Sequence, residues 1–256
     1  MRSVRLKWTL APALAVTPLL LLAYAAGAEG GPTGYGKPML CAACHKALNK
    51  DMVARFLETK HAKAQPTKDM APVDIYRRCV GFNAADNTYL EAGVGCQACH
   101  GPGQAHVGAK TENKKATISR ADQLKTSNQK LSVCGRCHGT YTVKGQPFAA
   151  DFKPGDDLFA LEGLQLTDTT ETGPFTRLNQ FMKSKHKDND VTCLTCHTSH
   201  EAMTGEGQLR KPVPDLCLQC HAQAHQCKLP QDKWPAGSTC ATCHMPDKRH
   251  DFAAKK

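Results

Sequence analysis

The sequence predicts a mainly α-helical fold with long loops and little or no β-sheet. It also predicts that apolar side chains are not the only material of the core. Aromatic residues make up only 6% of the 256 residues, and the mean hydropathy is −0.45. The 14 cysteines and 12 histidines are concentrated in a pentad, Cys-x-x-Cys-His, that occurs six times. The pentads span residues 41–45, 96–100, 134–138, 193–197, 217–221 and 240–244. We therefore expect short helices and long loops that wrap around bound cofactors.

The pentad is the attachment signal for a covalently bound haem. Its two thiols add to the two vinyl groups of one haem, and the histidine that follows becomes the proximal ligand of the iron. Chance predicts about 0.03 such pentads in a chain of this composition, so six are not accidental. Structural zinc on CxxC pairs, or a disulfide framework, is the alternative, but neither requires a histidine after the second cysteine. The sequence thus predicts six covalently bound haem c groups, numbered here in the order of their pentads. The attachment cysteines are Cys41, Cys44, Cys96, Cys99, Cys134, Cys137, Cys193, Cys196, Cys217, Cys220, Cys240 and Cys243, and the proximal histidines are His45, His100, His138, His197, His221 and His244.

Haem is expected to replace the apolar side chains that a core of this size otherwise needs. Six haems leave roughly 38 residues of mature chain for each, too few to surround every haem with an ordinary protein core. We therefore expect a haem-packed core, in which porphyrin faces are the main buried material.

The first 28 residues have the layout of a secretory signal. A basic head that ends at Lys7 precedes an apolar stretch, residues 8–25, and the small residues Ala-Gly-Ala follow at 26–28. This layout is typical of a cleaved signal peptide, which leaves no stable membrane span, although an uncleaved anchor is the alternative. Export to the periplasm or to the outside of the cell agrees with the pentads, because c-type haem is attached outside the cytoplasmic membrane, where thiols must also be guarded against oxidation.

The net charge of +10 does not indicate nucleic acid as a partner. Part of the positive charge lies in the signal, and the two propionates of each haem would offset most of the remainder. Export also argues against nucleic acid, which is otherwise a usual partner of a basic chain.

We divide the mature chain into three parts. An amino-terminal lobe, residues 29–140, holds haems 1 to 3, and a carboxyl-terminal lobe, residues 175–256, holds haems 4 to 6. The connector between them, residues 141–174, contains glycine and proline but no cysteine and is predicted to be a loop.

An internal repeat supports the two lobes. Phe56 to His61 and Phe181 to His186 share the pattern Phe-[Leu/Met]-x-[Thr/Ser]-Lys-His. Both segments are predicted to be helical, with the histidine at the end of the buried stripe. In a chain whose core is haem, a histidine on that stripe is expected to be an axial ligand.

Six histidines lie outside the pentads, one for each expected iron. This match predicts two histidine ligands for every iron, although coincidence is the alternative. Four of these histidines follow a pentad within a few residues, too short a reach to pass around the porphyrin to its opposite face. We therefore expect those four, at positions 106, 200, 225 and 250, to bind the iron of a neighbouring haem. The six histidines are His61, His106, His186, His200, His225 and His250.

The surroundings of three pentads follow recurrent patterns. Gly93 to His106 reads GVGCQACHGPGQAH, Ser184 to His200 contains S-x-H and then C-x-x-C-H-x-x-H, and Cys240 to Pro246 reads CATCHMP. In these segments the chain resembles the multihaem c-type cytochromes of the cytochrome c-554 class and the related decahaem electron-transfer cytochromes. The resemblance covers most of residues 38–250 and implies predominantly bis-histidine haems and an electron-transfer role in the periplasm or outside the cell. It also implies that the histidines at 106, 186 and 200 are distal ligands.

Two cysteines, Cys79 and Cys227, stand outside the pentads. They are candidates for one disulfide, which an oxidising compartment permits. The resemblance offers another interpretation, because similar sequences commonly carry a further pentad before the GPG segment. Cys79 occupies that place without the second cysteine and the histidine, so it looks like the remnant of a lost haem site. Attachment of a haem by this single cysteine is the alternative.

Electron transfer between redox proteins is the function that these features favour. The chain is expected to be an electron carrier and not an enzyme, with a donor protein, an acceptor protein and closely spaced bis-histidine haems. In a variant of this hypothesis, the carrier forms a homo-oligomer, for example an extracellular filament in which one subunit receives a histidine ligand from another. The rival is an oxidoreductase acting on a small nitrogen or sulfur compound at one five-coordinate haem. His61, with Lys60 and Lys63 beside it, could then be an acid–base residue, but no pentad has an altered proximal ligand such as lysine. Storage, sensing and a place in a membrane complex are further alternatives.

Overall fold

The computed structural model describes residues 34–168, 170–200, 207–221, 233 and 235–252, and most of its regular structure is helical. The predicted signal, residues 1–28, lies outside the described residues. The helices are α1 (Pro38–Leu48), α2 (Lys50–Leu57), α3 (Lys60–Lys63), α4 (Pro72–Arg78), α5 (Cys96–His100), α6 (Gln104–Gly108), α7 (Ser127–His138), α8 (Arg177–Phe181), α9 (Cys193–Cys196), α10 (Asp215–His221) and α11 (Cys240–His244). Short 3-10 helices cover Thr111–Thr117, Leu158–Ala160, Pro174–Thr176, Lys187–Asn189 and Pro246–Lys248.

In the described ranges, the β-strands form two short antiparallel pairs, and the other β-structure consists of isolated bridges. Strand β1 (Cys79–Val80) pairs with β2 (Glu91–Ala92), and Cys79 lies opposite Ala92. Strand β3 (Tyr141–Val143) pairs with β4 (Leu164–Leu166), and Tyr141 lies opposite Leu166. The predicted mainly α-helical fold with little β-sheet is therefore confirmed.

Helix α7 is at the centre of the larger apolar cluster. It begins with a capping box, in which the Thr126 hydroxyl accepts from the Gln129 amide and the Gln129 side chain accepts from the Thr126 amide. Such a box satisfies two amides that the first turn leaves without partners. Ser132 of α7 is fully buried, and its hydroxyl accepts from the Leu158 amide at 2.8 Å. The helix is thus held both at its start and along its buried face.

Two small apolar clusters, a larger and a smaller one, form the protein part of the core. The smaller cluster is aromatic, and its ring centroids lie 5.2 to 6.0 Å apart, within the range of favourable aromatic pairs. The larger cluster contains Leu131, Tyr141, Ala149, Phe152, Leu158, Leu178 and Phe181, and the smaller one contains Tyr76, Phe82 and Phe148.

The segment 141–174, predicted to be a connector loop, contributes to this core. It contains β3, β4 and a 3-10 helix, and its Phe152 and Leu158 are buried in the larger cluster. Asn179 of α8 fixes the base of the hairpin, since it accepts from the Thr140 amide at 2.8 Å and donates to the Thr140 carbonyl at 2.7 Å. The segment therefore packs against α7 and α8. The division at residues 140 and 174 stays a prediction.

The helix predicted to run through His61 is interrupted. Helix α2 ends at Leu57, and α3 begins at Lys60. The Thr59 hydroxyl accepts from the Ala62 amide at 3.2 Å. Thr59 therefore caps the start of α3 at a position where the hydrophobic pattern predicts an unbroken helix. Leu57 is 46% exposed, and the predicted buried stripe does not extend through it. In the second repeat, α8 likewise ends at Phe181, before His186.

None of the helices in the described ranges is both long enough and apolar enough to cross a membrane.

Candidate functional site

Every pentad lies on a helix, except that His197 directly follows one. Helices α5 and α11 are the pentads themselves, and α1, α7, α9 and α10 contain the other four or end beside them. Residues three and four positions apart share one face of a helix, so both cysteines and the histidine of a pentad lie on the same side. In α9 the start is fixed by a reciprocal cap between Thr192 and Thr195, the residue before the second cysteine. The local fold thus presents two thiols and one imidazole together.

Five proximal histidines each face one histidine from outside the pentads. The ring centroids are between 5.8 and 6.2 Å apart in all five pairs. Across the part of the chain that the structure describes, no His–His ring contact joins two proximal histidines. The pairs are His45–His106 at 6.2 Å, His61–His138 at 5.8 Å, His100–His200 at 5.8 Å, His186–His221 at 5.9 Å and His197–His250 at 6.0 Å.

These distances fit a haem iron between the two rings of a pair. Metal–imidazole bonds are about 2 Å long, so two Nε2 atoms on opposite sides of one metal lie about 4 Å apart and the ring centroids about 6 Å apart. The Nε2 atoms of His61 and His138 are 3.5 Å apart. Two opposed nitrogens suit the axial positions of a haem, whereas structural zinc takes four tetrahedral ligands. The residues present therefore fit haem better than zinc.

Main-chain carbonyls orient five of the paired rings through Nδ1. A carbonyl only accepts, so the proton lies on Nδ1 and the Nε2 lone pair is left for a metal. Such outer hydrogen bonds also make the ligand nitrogen more basic. The bonds run from His100 to Ser119 O at 2.7 Å, from His106 to Lys114 O at 2.9 Å, from His138 to Pro174 O at 2.8 Å, from His197 to Gly207 O at 2.6 Å and from His250 to Lys248 O at 2.9 Å.

Burial also favours the neutral imidazole, which is the form that binds metals. It lowers the pKa of His250 to about 4 and holds the pKa of His61, His138 and His186 below the ordinary histidine value. Burial lowers the pKa of His45 as well. The buried Nδ1 of His45 has no hydrogen-bond partner among the described residues, in contrast with the five rings above.

The pairs connect segments that are far apart in the chain. His61 and His138 are 77 residues apart. His106, His200 and His250 each follow one pentad closely, and each faces the proximal histidine of a different pentad. His225, the fourth of this kind, lies outside the described residues. Iron ligation by any of these histidines stays a prediction.

Attachment cysteines of successive pentads lie close together. The first cysteines are near enough to interact in three cases, namely Cys41 with Cys96, Cys134 with Cys193 and Cys217 with Cys240. The second cysteines interact in the two intervening cases, namely Cys99 with Cys137 and Cys196 with Cys220. The six attachment segments thus follow one another in space in the order of the chain.

Cys79 is buried in β1, and burial raises the pKa of its thiol. Its candidate disulfide partner, Cys227, lies outside the described residues. Both the disulfide and the lost-haem interpretation of Cys79 therefore stay predictions.

Sequence reasoning missed the charged and aromatic side chains around the third pentad. Arg136 stands between the two cysteines of that pentad and is only 6% exposed. Phe175 lies 6.4 Å from the His138 ring, and the Arg77 guanidinium lies 4.5 Å above Phe175. An arginine inside a pentad was a visible signal. The carbonyls that orient the histidines have no sequence signal, because every residue has one.

A family model and a curated relative match parts of the chain. The model for the doubled CXXCH motif matches residues 186–226. The chain is 26% identical over 161 residues to the multiheme cytochrome MtrA of Shewanella baltica (strain OS185), and the match covers 54% of this chain and 45% of that protein. The chain thus spans less than half the length of this relative.

Two solved structures are similar to the chain. An undecaheme cytochrome from the S-layer of Carboxydothermus ferrireducens has a TM-score of 0.46 and 16% identity, and the match covers 88% of this chain and 53% of that one. The outer cell wall cytochrome OcwA has a TM-score of 0.49 and 19% identity, with 69% and 55% covered. The chain spans about half of each.

Proposed function

We propose that the chain, which is similar to multihaem c-type cytochromes, is an electron carrier with six bis-histidine haem c groups. When bound, haem supplies the one-electron iron chemistry, and the protein supplies attachment, ligands and spacing. The residues proposed for attachment and for ligation are the pentad cysteines and the twelve histidines predicted from the sequence. No residue of the chain is proposed to make or break a bond in a substrate.

The five histidine pairs are the observation that carries this proposal. Each pair consists of one pentad histidine and one other histidine at a spacing that suits a single iron. A filled sixth position leaves no site on the iron for a small substrate, so this pairing favours a carrier over an oxidoreductase. His244 and His225 are the two histidines left, and we assign them to haem 6 by this count.

The cysteine contacts support a single row of haems in chain order. Neighbouring attachment segments have cysteines close to each other, such as Cys41 and Cys96, or Cys134 and Cys193, and so hold successive haems near one another. On this proposal electrons enter at one end of the row and leave at the other. The two end haems are then the sites where the donor and acceptor proteins dock.

We also propose that the protein is exported and works without a membrane-spanning segment of its own. The predicted signal and the need to attach haem outside the cytoplasmic membrane support a periplasmic or extracellular protein. A filament, which requires a histidine from another copy, is a variant that the size of the protein in solution tests. The five pairs lie within one chain, which favours a protein that supplies its own ligands.

Low-temperature electron paramagnetic resonance of the oxidised, haem-loaded protein tests the ligation. We expect only low-spin ferric signals, because two imidazoles give a strong ligand field. A stoichiometric high-spin signal would contradict the proposal and favour the oxidoreductase. The intact mass is a separate measurement, with six added haems and a polypeptide that starts near Glu29 as the expected result. Five or seven haems would overturn the count.

A further inference from the structure

The third pentad carries a buried cation that no acidic side chain neutralises in the described part of the chain. Among the described residues, Arg136 is the one charged residue that is buried, at 6% exposure. Its guanidinium lies 4.7 Å above the Tyr76 ring, and its Nη1 donates to Ala98 O at 3.5 Å. Ala98 lies between the two cysteines of the second pentad. The charge of Arg136 therefore sits where the attachment segments of haems 2 and 3 meet.

A second arginine approaches the same pentad from its end. Arg77 Nη2 donates to the Gly139 carbonyl at 2.9 Å, directly after His138. The Arg77 guanidinium also lies 4.5 Å above Phe175, the ring beside His138. Burial lowers the pKa of Arg77, but an arginine in a protein stays charged. Two positive charges thus border the segment that attaches haem 3.

The counter-charge near these arginines is small. Asp74 lies 4.0 Å from Arg77 and 3.2 Å from Arg78, so one carboxylate serves two cations. Within the described ranges Arg136 forms no ion pair, and its buried Nε has no hydrogen-bond partner. The face of Tyr76 offers a cation–π contact, which carries no net negative charge. Among the described side chains near the third pentad, positive charges therefore outnumber negative ones, before the two propionates of the haem are counted.

We propose that Arg136, assisted by Arg77, raises the reduction potential of haem 3. The inference rests on the proposed bis-histidine ligation. A ferric bis-imidazole haem carries one more positive charge than its ferrous form, so a fixed neighbouring cation favours the reduced state. Exposed lysines elsewhere have little such effect, because water and salt screen them. Arg136 acts on haem 3 through its electric charge and is not a ligand of the iron.

The size of the effect follows from Coulomb's law. A buried unit charge acting at about 10 Å through an effective dielectric constant of about 20 changes a one-electron equilibrium roughly tenfold. A tenfold change corresponds to 59 mV for a one-electron couple. Removal of the charge at Arg136 is expected to lower the potential of haem 3 by about this amount.

The test is a redox titration of the haem-loaded protein, followed in the visible spectrum. Arg136→Met removes the charge and keeps a similar volume, a replacement that buried charges often tolerate without loss of stability. Arg136→Lys keeps the charge. Lys125→Met removes an exposed charge close to the start of α7 and serves as the matched control. His61→Met marks the titration step of haem 3, since methionine opposite histidine raises the potential.

The titration step that moves in His61→Met is that of haem 3. We expect Arg136→Met to lower the potential of this step, while Arg136→Lys and Lys125→Met leave its potential near the wild-type value. An unchanged titration of Arg136→Met with six haems bound would overturn the inference. An equal fall in Arg136→Lys would also overturn it, because packing would then be the cause. If Arg136→Met does not yield haem-loaded protein, Arg77→Met is the second test, and we expect it to lower the potential of haem 3 by a smaller amount. An unchanged potential in Arg77→Met would count against the inference. The spin state of the wild-type haems decides the proposed function separately.

Discussion

The replacement His200→Ala is expected to empty the sixth position of haem 2, although His200 follows the pentad of haem 4. His200 and His100 face each other at 5.8 Å with nearly parallel rings, 7° apart. The other paired histidines in the described ranges each face a partner of their own, so none is free to replace His200. The loss should therefore be complete at one iron and absent at the others. About one sixth of the low-spin intensity is expected to become high-spin.

Electron paramagnetic resonance of the oxidised variant measures this loss. Added imidazole should restore the low-spin signal, because it fits the space that the ring leaves. Thr198→Ala, in the same segment, is the matched control and should stay fully low-spin. A variant without haem 2, carrying Cys96→Ser and Cys99→Ser, gives the decisive result. If His200→Ala still creates a high-spin haem in that background, His200 serves another iron and the pairing is wrong.

Three further replacements test the protein part of the core by guanidinium unfolding of the loaded protein. Leu158→Ala removes a leucine with no exposed surface and should lower the unfolding free energy by about 3 kcal/mol, whereas Leu166→Ala, at an exposed position, should cost far less; equal losses would contradict the assigned core. Gly135→Ala places a Cβ atom 2.7 Å from a leucine of α8 and should cost about 1–3 kcal/mol, while Gly108→Ala, with open space around its Cβ, should be tolerated. Thr126→Ala removes the cap of α7 and should cost about 1 kcal/mol; an unchanged midpoint would show that the cap contributes nothing.

The sequence predicts the kind of site but not which histidines come together. A pentad is a local signal, and a helix of five residues such as α5 is sufficient to display it. The partner of His138 is 77 residues away, and α7, which carries His138, is placed by packing against α4, α8 and α9. Spacing therefore predicts which histidines are available and leaves their pairing open.

The fold predictions failed where a polar side chain ended a helix or an apolar residue lay in an apparent loop. Thr59 caps a new helix because its hydroxyl competes for backbone amides, a tendency shared by threonine and serine. The segment 141–174 was predicted to be a loop from its glycine and proline content. Its Tyr141, Phe152 and Leu158 were the signal of a core contribution, but their spacing fits neither a helix nor a long strand.

The pairing of histidines also has a consequence for the synthesis of the chain. With the pairing as proposed, haem 3 finds its second ligand, His61, upstream of its own pentad, so it can be completed as soon as that pentad is exported. Haem 2 depends on His200, which emerges only after the pentads of haems 3 and 4. Until then haem 2 is a five-coordinate haem open to oxygen and to other small molecules. The amino-terminal half of the protein thus reaches its finished state only when the carboxyl-terminal half has been delivered.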